Sequence, residues 1–206
     1  MPTTSNSSMV PSSKPRLSTN DLKSILNHLN IDTSKFKLFI VGIRGYYLKS
    51  MGNPSQNDRG IYDDAIYVFT KNASVSFNAN TDPSGFRRGR GTGDGKGMAK
   101  LKEGLWQVHQ FGKHKGQYEA LVQTGGPITV IRDGDPDYED TGMFGINIHK
   151  GSANSTSSLG CQTIHPDQWS SFYNLISTEA KRIYGLDKFR TIKVPYILIE
   201  NDGSFT

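Results

Sequence analysis

Cys161 is the only cysteine in a chain of 206 residues, so it has no partner for an intrachain disulfide. Twelve positions before it stands His149. A thiol beside an imidazole is the pairing that nucleophilic acyl chemistry asks for. A free thiol titrates near pH ~8.5, and a neighbouring base brings the thiolate within reach of neutrality. His149 closes the run Phe144-Gly-Ile-Asn-Ile-His149, in which Phe144, Ile146 and Ile148 alternate with the period of a strand buried on one face. Small and polar residues follow, then Ser158-Leu-Gly160-Cys161 and a second short apolar run. The plain alternative is a buried cysteine acting as a small apolar residue, near a histidine hydrogen-bonded in a loop.

Elements able to hold such a pair are legible on both sides of it. Leu22, Ile25, Leu26 and Leu29 fall at helical spacing behind Ser18 or Thr19 as a cap. Residues 36–43 are nearly all apolar and read as a central strand. Short strands follow at 65–70 and 74–78 about a Lys71-Asn72 turn, then at 119–123 and 128–132 about Gly125-Gly-Pro127. After Cys161, His165-Pro166 opens a second helix with Trp169, Phe172, Tyr173, Ile176, Ala180 and Ile183 on one face and Gly185 at its stop. Residues 194–200 form a last apolar strand. This pattern predicts a mainly β, β-rich α+β fold with one helix early and one after the cysteine. A single domain is expected over 19–206, with 1–18, rich in Ser, Thr and Pro, as a disordered tail.

Composition narrows the partners. The chain has 24 Lys and Arg against 19 Asp and Glu, net +5, and a mean hydropathy of −0.52. A modest basic excess favours anionic partners such as a cell-wall polymer or an outer-membrane surface, and no nucleic-acid motif accompanies it. No run approaches the ~18 apolar residues of a membrane span. The first 18 residues lack the apolar stretch of a secretory signal, so action outside the cytoplasm needs delivery by another route.

Several other clusters fail as sites. Gly91–Gly97 resembles a phosphate loop, but Arg90 stands where the first glycine belongs and Gly97 where Ser or Thr belongs. The basic segment 80–104 reads either as a loop turned toward an anionic substrate or as a solvated surface. Asp63-Asp64 are adjacent, so on a strand they point apart, and they read as turn residues. His109 and His114 could share a metal only with a third ligand. The carboxylates of 133–140 lack the spacing of a calcium loop and read as a solvated turn. No metal or cofactor is expected.

His149-Lys-Gly151 followed by Ser158-Leu-Gly160-Cys161 resembles the active-site motif of the L,D-transpeptidase catalytic-domain (YkuD-type) family, with one lysine inserted. Lys102-Glu-Gly104-Leu-Trp106 is similar to the strand start that precedes the motif there. The resemblance implies a twisted mixed-sheet sandwich, with Cys161 as nucleophile and His149 as base. It also implies oxyanion stabilisation by backbone amides at Gly160 and Cys161, with Gly151 beside the base. Asn147, Ser157, Ser158 and Gln162 are the expected substrate-side residues. Bacterial members carry an arginine after the cysteine, linked to the substrate carboxylate; here Gln162 takes that place, as in the phage-encoded branch.

Chain order separates this arrangement from papain-like enzymes, whose cysteine precedes its histidine on a helix N-terminus. The expectation is therefore a monomeric, cysteine-dependent hydrolase of peptidoglycan stem peptides, of the L,D-carboxypeptidase or endopeptidase type, acting as a phage lysin or antibacterial effector. The alternatives are an L,D-transpeptidase proper, a non-catalytic virion or wall-binding protein, and a metal-dependent peptidase using His109 and His114.

Overall fold

The computed structural model describes residues 8–71, 73–89 and 95–204. In chain order these form α1 (Thr19–His28), β1 (Phe39–Arg44), β2 (Asp64–Phe69), β3 (Ser74–Asn80), β4 (Ala99–Leu101), β5 (Gly104–His114) and β6 (Tyr118–Gln123). Then follow β7 (Ile128–Arg132), β8 (Tyr138–Gly142), β9 (Ile148–Lys150), β10 (Gln162–Ile164), α2 (Pro166–Tyr184) and β11 (Val194–Glu200). The fold is mainly β, and its principal sheet is mixed. The β1–β11 and β9–β10 pairs are parallel, while the other pairs are antiparallel.

In place of two open layers, eight strands close on themselves in the order β1-β11-β5-β6-β9-β10-β3-β2. Closure runs through β10, the strand that follows Cys161, because it bonds β9 on one edge and β3 on the other. The separate sheet β4-β7-β8 contributes Ala99, Leu101, Ile128 and Val130 to the same apolar core. The α2 helix lays Trp169, Phe172, Ile176 and Ala180 against that core. On the opposite side of β1, Phe39, Val41 and Ile43 are covered by Leu22 and Leu26 of α1. A strand buried on both faces has no polar alternation, which is why 36–43 reads as a continuous apolar run. The Ser18–Asp21 capping box fixes where α1 begins.

Four local expectations give way to different structure. Residues 8–18, expected in a disordered tail, bond along the domain; 1–7 lie outside the described residues. Arg16 N–H donates to Tyr46 Oη (2.8 Å), Leu17 N–H to Tyr67 Oη (3.1 Å) and Ser76 Oγ to the Pro15 carbonyl (2.7 Å). The extended backbone supplies hydrogen-bond donors to these two tyrosine hydroxyls. Asp63 and Asp64 are buried rather than in an exposed turn. Asp64 accepts from the Gly45 N–H (2.5 Å) and Thr81 Oγ1 (2.8 Å), and Asp63 from the Asp58 N–H (2.9 Å).

The acidic turn is half strand, since 138–142 pairs with β7. Its carboxylates hold the basic segment and two arginines outside it: Lys96 bonds Asp140, Lys102 bonds Glu139 and Arg88 bonds Asp135, while Arg132 also bonds Asp140 and Arg59 bonds Asp133. Arg90 and 91–94, which carry most of the glycine-rich motif, lie outside the described residues, as does Asn72 of the Lys71-Asn72 turn. Finally, the run from Phe144 becomes strand only at Ile148. Gly145 takes φ 69°, and the Gln123 side chain replaces a neighbouring strand. Its Oε1 accepts from the Phe144 N–H (3.1 Å) and the Ile146 N–H (3.0 Å).

Candidate active site

The parallel register of β9 and β10 sets Gln162 beside Ile148 and Thr163 beside His149. Positions in register share a face and successive positions alternate. Cys161, one step before Gln162, therefore falls on the face of Asn147 and His149, while Ile148 and Gln162 point the other way. The twelve-residue separation in sequence becomes a diagonal neighbour relation across two strands. Both side chains line one cavity of about 250 Å³.

Each partner is held by backbone. The Cys161 thiol donates to the Gly145 carbonyl (3.4 Å), and Sγ accepts from the Asn147 N–H (3.4 Å). Burial pushes the thiol up to about 11, opposed by the Asn147 N–H and the Lys115 charge. His149 is 3% exposed. Its Nδ1 lies 2.8 Å from the Lys150 carbonyl, which can only accept, and 3.1 Å from Tyr118 Oη, whose own proton can go to that carbonyl (3.3 Å); the shorter contact places the proton on Nδ1 and the lone pair on Nε2. Burial, then the neighbouring His114, lowers the imidazole to about 4. At neutral pH the resting pair is thus a neutral thiol and a neutral base.

His114 is the residue that sequence reasoning did not place here. The β5–β6 hairpin turns at Lys115-Gly116, with φ 50° and 71° and Gln117 N–H bonding the His114 carbonyl (2.9 Å), as in a type I′ turn. This delivers His114 onto His149, ring centroids 3.9 Å apart, and places Lys115 at the cavity wall. Asn147 ties the hairpin to the motif. Its Oδ1 accepts the Gln123 N–H (2.9 Å), which leaves Nδ2 to donate to His114 Nδ1 (3.0 Å). His109 takes no part in this. Its odd separation from His114 along β5 puts it on the other face, fully buried with Nε2 2.9 Å from the Ile146 carbonyl. Among the described residues no group of three His, Cys, Asp or Glu side chains could hold a metal.

The remaining expected site residues divide. Asn147 and Ser157 line the cavity. Ser158 does not; it is buried and staples the loop, its Oγ donating to the Cys161 carbonyl (2.7 Å) and accepting the Gly160 N–H (3.0 Å). The Gly160 amide is therefore engaged rather than presented to an oxyanion. Gly160 itself is required by packing: φ is 145°, and a Cβ there would strike the Ala99 carbonyl. Gly151 is likewise a packing residue. Its N–H donates to the Ile164 carbonyl (2.9 Å), and a Cβ would strike the Tyr62 hydroxyl. The Cys161 N–H has no hydrogen-bond partner among the described residues and is the one of the two expected oxyanion donors left unengaged. Gln162 is fully buried, donating to the Gly160 carbonyl (3.1 Å) and accepting from Tyr196 Oη (2.8 Å), out of reach of any substrate. His165 caps α2 against Tyr62 and is not in the cavity.

The arrangement has the parts of a nucleophilic acyl-transfer site: a thiol, a base with an oriented lone pair, one unengaged backbone donor, and a cation at the rim. Neither protein-family models, nor curated proteins, nor solved structures gave a match to this chain.

Proposed function

We propose that the protein is a cysteine-dependent hydrolase of peptidoglycan stem peptides, of the L,D-carboxypeptidase or endopeptidase type. The observation that carries the catalytic part is His149 beside Cys161 in one cavity, its Nδ1 committed to the Lys150 carbonyl and its Nε2 lone pair left for a proton. The substrate class rests on the resemblance of the motif to the L,D-transpeptidase family.

In this reading His149 Nε2 takes the thiol proton as Sγ attacks the amide carbonyl carbon. The carbonyl oxygen becomes an oxyanion facing the Cys161 N–H, a contact of the kind worth about 3 kcal/mol in the transition state. Collapse breaks the C–N bond, and the imidazolium returns its proton to the leaving amine. Water, deprotonated by His149, then cleaves the thioester. An amine in place of water makes the same site a transpeptidase. Because the resting thiol is neutral, proton transfer accompanies attack instead of preceding it.

No helix among the described residues is long and apolar enough to cross a membrane. Action at the cell wall after delivery by another route, as for a phage lysin or an antibacterial effector, completes the proposal.

A second reading, a wall-binding or virion protein with an unreactive cysteine, is favoured by the thiol held up to about 11 and by the engaged Gly160 amide. Digestion of purified muropeptides by wild type, Cys161→Ala and His149→Ala, read by mass spectrometry, separates the two. Loss of D-Ala or of a cross-link with wild type alone supports the hydrolase. Intact muropeptides, with all three proteins co-sedimenting with insoluble peptidoglycan, support the binding module.

A further inference from the structure

The loop that carries Cys161 walls two hollows. Ser157 and Leu159 line the cavity around the thiol and also line a second hollow of about 320 Å³. Leu159 is 48% exposed and Ser157 is exposed, and both hollows share these two residues. That ridge is firmly placed. Ser84 N–H donates to the Ser158 carbonyl (2.8 Å), Ser158 N–H to Ser84 Oγ (2.8 Å) and Ala99 N–H to the Leu159 carbonyl (3.3 Å). Ser157 sits at φ 55°, a left-handed conformation that is unfavourable for a non-glycine residue and persists only where the surroundings impose it.

The walls of the second hollow combine serine hydroxyls, one cation and apolar surface. Beyond the shared ridge, Ser84, Ser155, Arg87 and Met98 contribute to it, and among the described residues no carboxylate lines either hollow. Arg87 differs from its arginine neighbours. Arg59 is bidentate on Asp133 (2.8 Å each), and Arg88 is paired with Asp135 (3.1 Å). Arg87 bonds the described residues through its backbone alone, N–H to Asp133 Oδ2 (2.8 Å) and carbonyl from Met98 N–H (3.1 Å). Its guanidinium is exposed and uncommitted among them. A planar fork of donors beside serine hydroxyls matches a carboxylate, which it can bind through two parallel hydrogen bonds.

We propose that the second hollow is a binding subsite for a carboxylate-bearing end of the peptide processed at Cys161, with Arg87 as the residue that receives the carboxylate. The proposal rests on the reading of Cys161 as the nucleophile. It adds that the substrate crosses the Ser157–Leu159 ridge and is selected for negative charge. The basic segment thereby contributes one cation to recognition, while Arg88, Lys96 and Lys102 are spent on the acidic strand and turn.

The test measures binding to the Cys161→Ala protein, where no turnover intervenes, by calorimetry. The probes are a synthetic stem tetrapeptide with free carboxylates and the same peptide fully amidated. The expected result is about tenfold tighter binding of the free acid, lost in Cys161→Ala/Arg87→Gln and kept in Cys161→Ala/Arg88→Gln. Equal binding of acid and amide, a preference that survives Arg87→Gln, or no binding of either peptide overturns the subsite. Parallel assays with the active protein keep the two proposals apart. A preference that depends on Arg87 in a protein that never cleaves the peptide keeps the subsite and sinks the hydrolase. Cleavage of acid and amide with equal KM does the reverse.

Discussion

The imidazoles of His114 and His149 stack with planes 21° apart, and they hold their protons on opposite nitrogens. His149 keeps its proton on Nδ1 for the Lys150 carbonyl. His114 accepts at Nδ1 from Asn147 and so carries its proton on Nε2. The stack orients the base and disfavours its charged form, since His114 is the second-largest cause of the lowered His149 value after burial. His114→Phe keeps a ring in place and removes the charge interaction. The His149 pKa is expected to rise from about 4 toward its ordinary value near 6.5, with about a tenfold loss of turnover from looser ring placement. An NMR titration of the His149 ring checks the first, and muropeptide kinetics the second.

The loop before Cys161 is strained at one serine and stapled by the next. Ser157→Gly relieves φ 55° and is expected to stabilise the fold or leave it unchanged, within about 1 kcal/mol. Ser158→Ala removes a hydroxyl that bridges the Cys161 carbonyl and the Gly160 N–H. It strands both and is expected to cost about 1–3 kcal/mol. Urea denaturation of the two variants beside wild type gives the comparison, and equal midpoints for all three would contradict it.

A buried pair of aspartates gives stability an unusual pH slope. Burial raises both Asp63 and Asp64, helped by the Asp64 charge at Asp63 and by the Asp82 charge at Asp64. The unfolded groups titrate near 4, so the folded protein binds these protons more tightly than the unfolded chain. Their contribution is complete below pH ~4 and is lost as pH rises through the folded values. His109 and His149, both lowered to about 4, act in the opposite sense and weaken the fold as pH falls below about 6.5. The two effects oppose each other between about pH 4 and 6.5, and above about 6.5 the aspartates act alone, so thermal stability should fall as pH rises from there through the folded aspartate values. Asp63→Asn should flatten that fall.

Much of the fold is legible because it follows local periodicity. The 3.6-residue stripes of α1 and α2 and the continuous run of β1 each report their own burial. The relation between His149 and Cys161 is half legible: strand alternation and a lone cysteine point to it, but only the parallel β9–β10 register puts both on one face. His114 is not legible at all. Its position depends on a type I′ turn at Lys115-Gly116 and on a hydrogen bond from Asn147, thirty-three residues away. Gly160 and Gln162 mislead for a related reason, because motif position does not reveal what a backbone amide or side chain meets in the core.

Gln162 makes that last point measurable. Placing at this position the arginine of the family whose motif the chain resembles, Gln162→Arg, would drive a cation into a fully buried place where Tyr196 Oη and the Gly160 carbonyl are polar neighbours. A loss of about 3 kcal/mol or more is expected, without any gain in substrate affinity. Chemical denaturation measures the first and calorimetry the second. A stable variant that binds stem peptide more tightly would contradict the placement of Gln162.

The most direct test of a nucleophilic Cys161 is intact-protein mass spectrometry during reaction with a muropeptide tetrapeptide. The proposed mechanism predicts a covalent adduct equal to the substrate less D-Ala. It should map to Cys161, disappear on treatment with hydroxylamine, and be absent from Cys161→Ala. Consumption of the muropeptide by Cys161→Ala at the wild-type rate would contradict the account. So would a wild-type protein that stays unmodified while the muropeptide remains whole.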